Sequence, residues 1–115
     1  MNPIVFQHGH ATAFTHWVDV VSPVGEPLAR TRVAFDQHLP SEGVGLGIWE
    51  CTPGKWRRQV TKREFSHILD GHCTFTPDGQ PPIELRAGDS VYFPANCNGV
   101  WDIHQTVRKS YLIVD

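Results

Sequence analysis

The sequence predicts an all-β fold, and three observations support this prediction. Short apolar or alternating segments recur along the 115-residue chain, with turn signals between them. Nine prolines and ten glycines argue against long helices. No window shows a sustained 3.6-residue apolar period with helix caps. Short strands at this spacing indicate a β-sandwich or a β-barrel, and the pattern alone does not choose between the two.

The chain divides into an N-terminal arm and a barrel. Residues 1–40 carry scattered Pro and Gly and one β-prone run, FTHWVDVV, which predicts an arm that includes a strand and packs on the barrel. Residues 41–115 are predicted to form the single barrel, in which Asp78-Gly79 is the clearest hairpin signal. The strands expected in the barrel are Val44–Cys51, Trp56–Val60, Glu64–Leu69, Cys73–Thr76, Ile83–Arg86, Ser90–Phe93, Val100–His104 and Val107–Val114.

Composition and charge argue against several classes of protein. A net charge of −2 gives no reason to expect nucleic acid or an anionic membrane as a partner. No apolar run approaches the roughly 20 residues that span a bilayer, and the N-terminus lacks the pattern of a signal peptide. Cys51, Cys73 and Cys97 contain no CxxC pair, so we interpret them as reduced thiols in a cytoplasmic protein.

Two motifs in the barrel region carry a resemblance to a known superfamily. In EFSHILDG, six residues separate Glu64 from Gly71, and in GDSVYFPAN, five residues separate Gly88 from Pro94. On these motifs the chain resembles the cupin superfamily, whose members are small double-sheet β-barrels. The resemblance implies a double-stranded β-helix, a jelly-roll-like barrel, for residues 41–115.

A closer resemblance is to the small single-domain cupins related to (S)-ureidoglycine aminohydrolase. These proteins share a tryptophan-rich pattern that reads here GIWECTPGKWRR, EFSHILDG, AGDSVYFPAN and GVWDIHQTVRKSYLIVD. The most specific part is the closing segment, with Trp101 followed by Val107, Arg108, Lys109 and Tyr111. Many members of this group have no assigned activity, so the resemblance implies the fold more than the function. It also implies a homodimer, because small cupins commonly pair through edge strands or swapped arms.

The same resemblance raises the question of a metal centre. A typical metal cupin binds Fe, Mn, Ni or Zn through two histidines and a glutamate in the first motif and a third histidine in the second. Here the first two histidine positions fall within residues 57–60, RRQV, and the third falls at or beside Gly99. Only Glu64 remains, and arginine cannot ligate a metal, so no metal is expected at this position.

Other histidines are candidates to replace the missing ligands. If Glu64 points into the barrel, strand alternation places His67 on the outside. His72 follows a turn glycine and is expected in solvent. On a strand through Trp101, His104 has the opposite parity, so only one of these two faces inward. The remaining histidines lie in the arm, where HGH is interpreted as a solvated tail: His8, His10, His16 and His38.

The basic residues near the first motif suggest a different chemistry. Five of the ten basic residues fall within residues 55–63. One interpretation is a solvated basic edge strand. The other is a small-anion site, because Arg58 shares the parity of Glu64 and a guanidinium binds a carboxylate in a fork geometry. The expected ligand-binding residues are Trp56, Arg58, Glu64, Tyr92 and Trp101, with the aromatic rings as walls.

Three functions remain open from the sequence, and none of them assigns a catalytic residue. The first is a small cupin that binds a small polar or anionic organic ligand without the three-histidine metal site. The second is an enzyme resembling ureidoglycine aminohydrolase, in which Glu64 and recruited histidines hold Mn, Ni or Zn, and the metal acts as a Lewis acid at a C–N bond of a ureide-like substrate. The third is a structural or regulatory barrel whose interior is filled by side chains.

Overall fold

The computed structural model describes residues 2–6 and 13–115, so that His8 and His10 lie outside the described residues. The described residues form eight strands and no helix, which confirms the all-β prediction, and no helix among them is long and apolar enough to cross a membrane. The strands are β1 (Val18–Asp19), β2 (Arg30–Leu39), β3 (Val44–Cys51), β4 (Gly54–Arg58), β5 (Arg63–Pro77), β6 (Ile83–Arg86), β7 (Ser90–Phe93) and β8 (Gly99–Val114).

The two long strands β5 and β8 pair with each other along their length and form the centre of the fold. On the other side of β8, β4 pairs with its first half and β3 with its second half. On the other side of β5, β7 pairs with its first half and β6 with its second half. β2 and then β1 extend the sheet beyond β3, and all of these pairs are antiparallel. Two half-sheets therefore share β5 and β8, which is the arrangement of a jelly-roll barrel.

Two pairs of predicted short strands are single long strands in the structure. The predicted Glu64–Leu69 and Cys73–Thr76 both lie in β5, and the predicted Val100–His104 and Val107–Val114 both lie in β8. β4 begins and ends two residues earlier than the predicted Trp56–Val60. The chain thus passes from one half-sheet to the other without leaving the strand.

Gly71 explains why a turn signal in the sequence is a bulge in the structure. The register of β5 on β8 shifts between Ile68 and Cys73, and Gly71 has a φ of 94°. A Cβ added to Gly71 would lie 2.2 Å from the carbonyl oxygen of Thr106, so only glycine allows β8 to approach here. The bulge also changes which residues of β5 face the core. Even-numbered residues such as Ile68 face inward before it, and odd-numbered residues such as Cys73 face inward after it, and both of these are fully buried.

An aromatic cluster forms the centre of the core. Phe75, Phe93 and Trp101 are each at most 2% exposed, and their ring centroids are separated by 4.9 to 5.8 Å. Trp49 packs against Trp101 at 6.1 Å. Full burial of such side chains is worth about 1.5–3 kcal/mol each, so this cluster holds the interior wall in place.

The N-terminal residues contact the outer face of the barrel. Of the predicted FTHWVDVV strand, only Val18–Asp19 forms a strand, and it pairs with the start of β2. The rings of Phe14 and Trp17 each lie 4.2 Å from the Arg32 guanidinium of β2. Arg32 in turn forms an ion pair of 2.6 Å with the buried Glu50 of β3. Cation–π contacts and an ion pair thus connect this segment to the sheet.

Candidate functional site

Glu64 lies inside the barrel with only 5% of its surface exposed. Its Oε2 accepts hydrogen bonds from Lys109 Nζ at 2.6 Å and from Ser66 Oγ at 2.7 Å. Its Oε1 lies 3.4 Å from Nη2 of Arg58. A buried carboxylate needs such partners, and here the chain supplies two cations and a hydroxyl.

Three strands bring these groups together. Glu64 lies on β5, directly opposite Ile113 of β8 and Phe93 of β7. Lys109 lies on β8 between its β3 and β5 neighbours, and Arg58 is the last residue of β4. We refer to Arg58, Glu64 and Lys109 as the interior charge cluster.

Both cations of the interior charge cluster lie against aromatic rings. The Arg58 guanidinium lies 4.0 Å from the centre of the Phe93 ring, and its Nη1 donates a hydrogen bond of 2.7 Å to the Cys97 carbonyl oxygen. Lys109 Nζ lies 4.6 Å from the Trp49 ring and 5.4 Å from the Trp101 ring. Contacts of this kind are worth about 2 kcal/mol or more when the cation is desolvated. They help the barrel to hold two cations around one carboxylate.

Burial and charge act in opposite directions on this cluster. Burial alone would raise the pKa of Glu64, but Lys109, Ser66 and Arg58 together lower that pKa below its ordinary value. Burial lowers the pKa of Lys109, and the Glu64 carboxylate opposes this effect. Burial also lowers the pKa of Arg58, again opposed by Glu64. Glu64 is therefore an ionised carboxylate at neutral pH, shared between two positive groups.

A cavity of about 750 Å³ lies beside the interior charge cluster and is partly open to solvent. This volume is in the usual range for pockets that bind small molecules. Three tryptophans form an apolar wall next to the charged end, and arm residues 18–22 contribute to the lining. The aromatic part of the wall consists of Trp49, Trp56 and Trp101. The cavity thus combines a charged inner end with an apolar side, which suits a small amphipathic molecule.

Tyr111 and Asp36 lie at another part of the cavity lining. The Tyr111 hydroxyl donates a hydrogen bond to Asp36 Oδ1. Burial, followed by the Asp36 carboxylate, raises the pKa of Tyr111 above its ordinary value. Gly47 lies opposite Tyr111 on β3, and a Cβ there would be 2.6 Å from the Tyr111 hydroxyl oxygen. The absence of a side chain at Gly47 therefore allows the tyrosine to lie across β3.

The five residues expected from the sequence do not all meet. Arg58, Glu64 and Trp101 are buried in the interior, and the half-buried Trp56 lines the cavity with them. The Trp56 indole N–H is buried without an acceptor, apart from a weak interaction with a neighbouring thiol. Such an unpaired buried donor is uncommon in a core.

Tyr92 is the exception among these five residues. Its surface is 57% exposed, and it lies outside the cavity lining, so the expectation that it forms a wall of the pocket is not met. Tyr92 pairs with Phe65, which has the outward parity of β5, whereas Phe93 pairs with Glu64 and faces inward. The strand alternates as expected, but its inward residue is the next one along the chain.

Lys109 is the member of the interior charge cluster that the sequence analysis did not select. Alternation required Arg108 and Lys109 to face opposite ways, but left open which one reaches the pocket. The structure places Lys109 inside, whereas Arg108 forms an ion pair of 2.7 Å with Glu50. The sequence offered no signal for this choice, because Trp101 and Lys109 were predicted to lie on two different strands and alternation does not carry across the break between them.

The residues around Glu64 do not fit a transition metal. Its carboxylate already bonds to Ser66, Lys109 and Arg58, and neither a protonated lysine nor an arginine can donate a lone pair to a metal. His67, one of the alternative ligands, bonds to Ser90 instead, at 2.9 Å. Within residues 2–6 and 13–115, the one group of three His, Cys, Asp or Glu side chains close enough to share an ion lies elsewhere. It consists of His72, Glu84 and His104.

Comparison with known proteins gives a family match and several structural neighbours. The model of the EutQ-like cupin domain matches residues 39–111. The EutQ protein of Clostridium difficile is 16% identical with a TM-score of 0.65, and the match covers 75% of this chain and 68% of that one. A DUF861 protein of unknown function from Pseudomonas syringae is 18% identical with a TM-score of 0.70, covering 87% and 45%. A DUF861 protein from Thermotoga maritima is 28% identical with a TM-score of 0.54, covering 56% and 73%. None of the curated proteins matches the sequence.

Proposed function

Because the chain belongs to the EutQ-like cupin domain family, we propose that its barrel binds a small organic anion, with Arg58 and Lys109 holding the anionic group. The observation that carries the proposal is the pairing of two buried cations with one carboxylate at the inner end of a cavity of about 750 Å³. An uncompensated buried charge is costly, and an anionic ligand would balance the second cation.

The cavity favours a carboxylate that carries an apolar or aromatic part. Lys109 has three N–H donors, and its hydrogen bond to Glu64 uses one of them. The guanidinium of Arg58 presents a planar set of donors that suits a carboxylate. The apolar part of such a ligand would lie against Trp49 and Trp56, which line the same cavity. Glu64 holds the two cations in position and does not itself contact the anion.

The two other functions have weaker support. An activity like that of ureidoglycine aminohydrolase would need a metal at Glu64, and Lys109 and Arg58 already act as the cationic partners of that carboxylate. A barrel filled by side chains is disfavoured by the cavity beside the interior charge cluster. Anion binding is therefore the function that these contacts support best.

A homodimer is a further part of this proposal. Three large apolar side chains lie next to one another on the outer face of β5, β7 and β8, where Phe65 is the direct neighbour of both Tyr92 and Leu112. They are 36% to 57% exposed. An exposed apolar patch of this kind commonly marks an interaction site. Sedimentation velocity of the chain and of Phe65→Lys tests the proposal, and a wild-type monomer at all concentrations would contradict it.

Titration calorimetry against a panel of small carboxylates and ureides tests the binding proposal. We expect at least one carboxylate to bind, and Lys109→Met to weaken its binding by about tenfold or more, since one charge-assisted contact is worth about 1.5–3 kcal/mol.

Lys55→Gln is the matched control, because Lys55 is an exposed lysine on β4 and its loss changes the net charge equally. It should bind like the wild type. The proposal fails if no carboxylate binds, or if Lys109→Met and Lys55→Gln bind with the same affinity as the wild type.

A further inference from the structure

Two histidines and a carboxylate meet on the outer face of the second half-sheet. His72 Nε2 lies 2.6 Å from Glu84 Oε2, and the ring centroids of His72 and His104 are 4.7 Å apart. One potential ligand atom from each of the three residues lies within 4.8 Å of the others. We refer to His72, Glu84 and His104 as the outer histidine cluster.

Strand pairing places the outer histidine cluster on the face opposite to the core. The sequence neighbours Cys73, Leu85 and Ile103 are all buried, and alternation directs the cluster to the other side of the sheet. His72 lies eight residues after Glu64 on β5, which corresponds to roughly 25 Å along an extended strand. The cluster is therefore separate from the cavity and from the interior charge cluster.

A bulge in β8 brings His104 to this position. His72 pairs with Gln105 while Cys73 pairs with Ile103, so His104 is an extra residue without a partner of its own in the ladder. Bulges commonly redirect a side chain next to a functional site. Here the bulge aligns the His104 ring beside the His72 ring on the neighbouring strand.

We propose that the outer histidine cluster binds one divalent transition metal ion, with Zn²⁺ as the ion of first choice. Two imidazole nitrogens and one carboxylate oxygen are a donor set that suits Zn²⁺, Cu²⁺, Ni²⁺ and Co²⁺. Ligand atoms around a tetrahedral zinc lie about 3.4 Å apart, so the cluster closes on an ion by small rotations of its side chains. Three protein ligands leave the fourth position to water.

Neighbouring polar groups support the ligands from the second coordination sphere. The Thr74 hydroxyl lies 2.8 Å from His104 Nε2 and donates to Glu84 Oε1 at 3.2 Å. Asp102 Oδ1 lies 3.8 Å from His104 Nδ1. One of the two His104 nitrogens would bind the ion, and the polar group beside the other nitrogen would orient the ring. Arg86 also lies 3.4 Å from Glu84, but its side chain is 66% exposed and free to turn away when a cation binds.

The ion would connect three strands that meet at an edge of the sheet. Its ligands come from β5, β6 and β8, and β6 is a four-residue edge strand whose one partner among the described strands is β5. An ion held by the folded chain, and not by the unfolded chain, raises stability as its concentration rises. Bound Zn²⁺ should therefore fix β6 to the barrel and increase the melting temperature.

Titration calorimetry of the full chain with zinc sulfate, after dialysis against a chelator, tests the proposal. We expect one Zn²⁺ per chain at this site, and His72→Gln and His104→Gln should each reduce its affinity by about 100-fold. Zinc should raise the melting temperature of the wild type and not of these two variants. Both histidines are at least partly exposed, so the variants without metal should unfold at the wild-type temperature.

Two controls separate this site from other histidines. His67→Gln removes an imidazole from the same strand that is bonded to Ser90, and His8→Gln combined with His10→Gln removes the HGH pair. Both should bind zinc like the wild type. The proposal is overturned if millimolar zinc does not bind to the wild type, or if His72→Gln and His104→Gln keep the wild-type affinity. This test does not depend on whether an anion binds in the barrel.

Discussion

Lys109 Nζ lies 2.6 Å from Glu64 Oε2 inside the barrel, and both side chains are about 95% removed from solvent. The carboxylate that remains from the metal-binding pattern of cupins is thus paired with a cation of the chain itself. A second cation, Arg58, lies on the other oxygen. The chain's own cations thus occupy the carboxylate that would otherwise be available to a metal.

The first prediction is that removing the charge of Glu64 destabilises the folded chain more than removing the charge of Lys109. Glu64→Gln leaves Arg58 and Lys109 without a counter-charge and should reduce the unfolding free energy by about 3–5 kcal/mol. Lys109→Met leaves one Arg–Glu pair and should cost clearly less. Urea unfolding of both variants measures the difference. Equal losses would show that the surplus positive charge has no influence on stability.

The second prediction is a pH dependence. The pKa of Glu64 in the folded chain lies below its ordinary value of 4.5. A group with a lowered folded pKa contributes stability above its unfolded pKa and loses this stability as the pH falls through the folded pKa. The gap in unfolding free energy between the wild type and Glu64→Gln should therefore be constant near neutrality and shrink below about pH 4.5. A gap that stays the same in acid would contradict the assignment.

The third prediction concerns Gly71 and has a matched control in Gly88. Their φ angles are 94° and 95°, but a Cβ at Gly71 would meet the Thr106 carbonyl oxygen at 2.2 Å, whereas nothing lies within 4 Å of one at Gly88. Gly88→Ala should cost about 1–2 kcal/mol for the left-handed backbone alone. Gly71→Ala should cost several kcal/mol more, or prevent folding. Chemical unfolding compares the two, and equal costs would mean that β5 and β8 separate easily at the bulge.

Turn signals and strand periodicity are local, so they predicted the all-β class, whereas the barrel was predicted from the resemblance of two motifs to cupins. The sequence did not predict that β5 and β8 continue through their central turn signals, since the need for Gly71 comes from its contact with Thr106, a residue far along the chain. The inward position of Glu64 was the starting assumption, and alternation within one strand then placed His67 on the outside. Local patterns therefore gave the elements, and contacts between distant strands decided how those elements continue.

The site residues show the same limit of local reasoning. Side chains of the four-residue β7 point alternately to its two faces, and its sequence does not show which face is inward. Only its register against β5 makes Phe93 the inward residue and Tyr92 the outward one. The choice between Arg108 and Lys109 likewise depends on how β8 lies between β3 and β5. Because side chains alternate with a period of two, an error of one residue in register exchanges the two faces.

The last prediction concerns Gly47 and the hydroxyl of Tyr111. A Cβ at Gly47 would lie 2.6 Å from that hydroxyl oxygen, so Gly47→Ala should displace the ring from Asp36 and bring the raised pKa of Tyr111 back towards its ordinary value of 10.0. The chain contains two tyrosines, so absorbance titration in a Tyr92→Phe background reports on Tyr111 alone. Gly45→Ala is the control, because its Cβ would have its nearest contact at an ordinary 3.6 Å, and the titration should stay as in the background. If Gly47→Ala also leaves the titration unchanged, the bond to Asp36 does not determine the pKa of Tyr111.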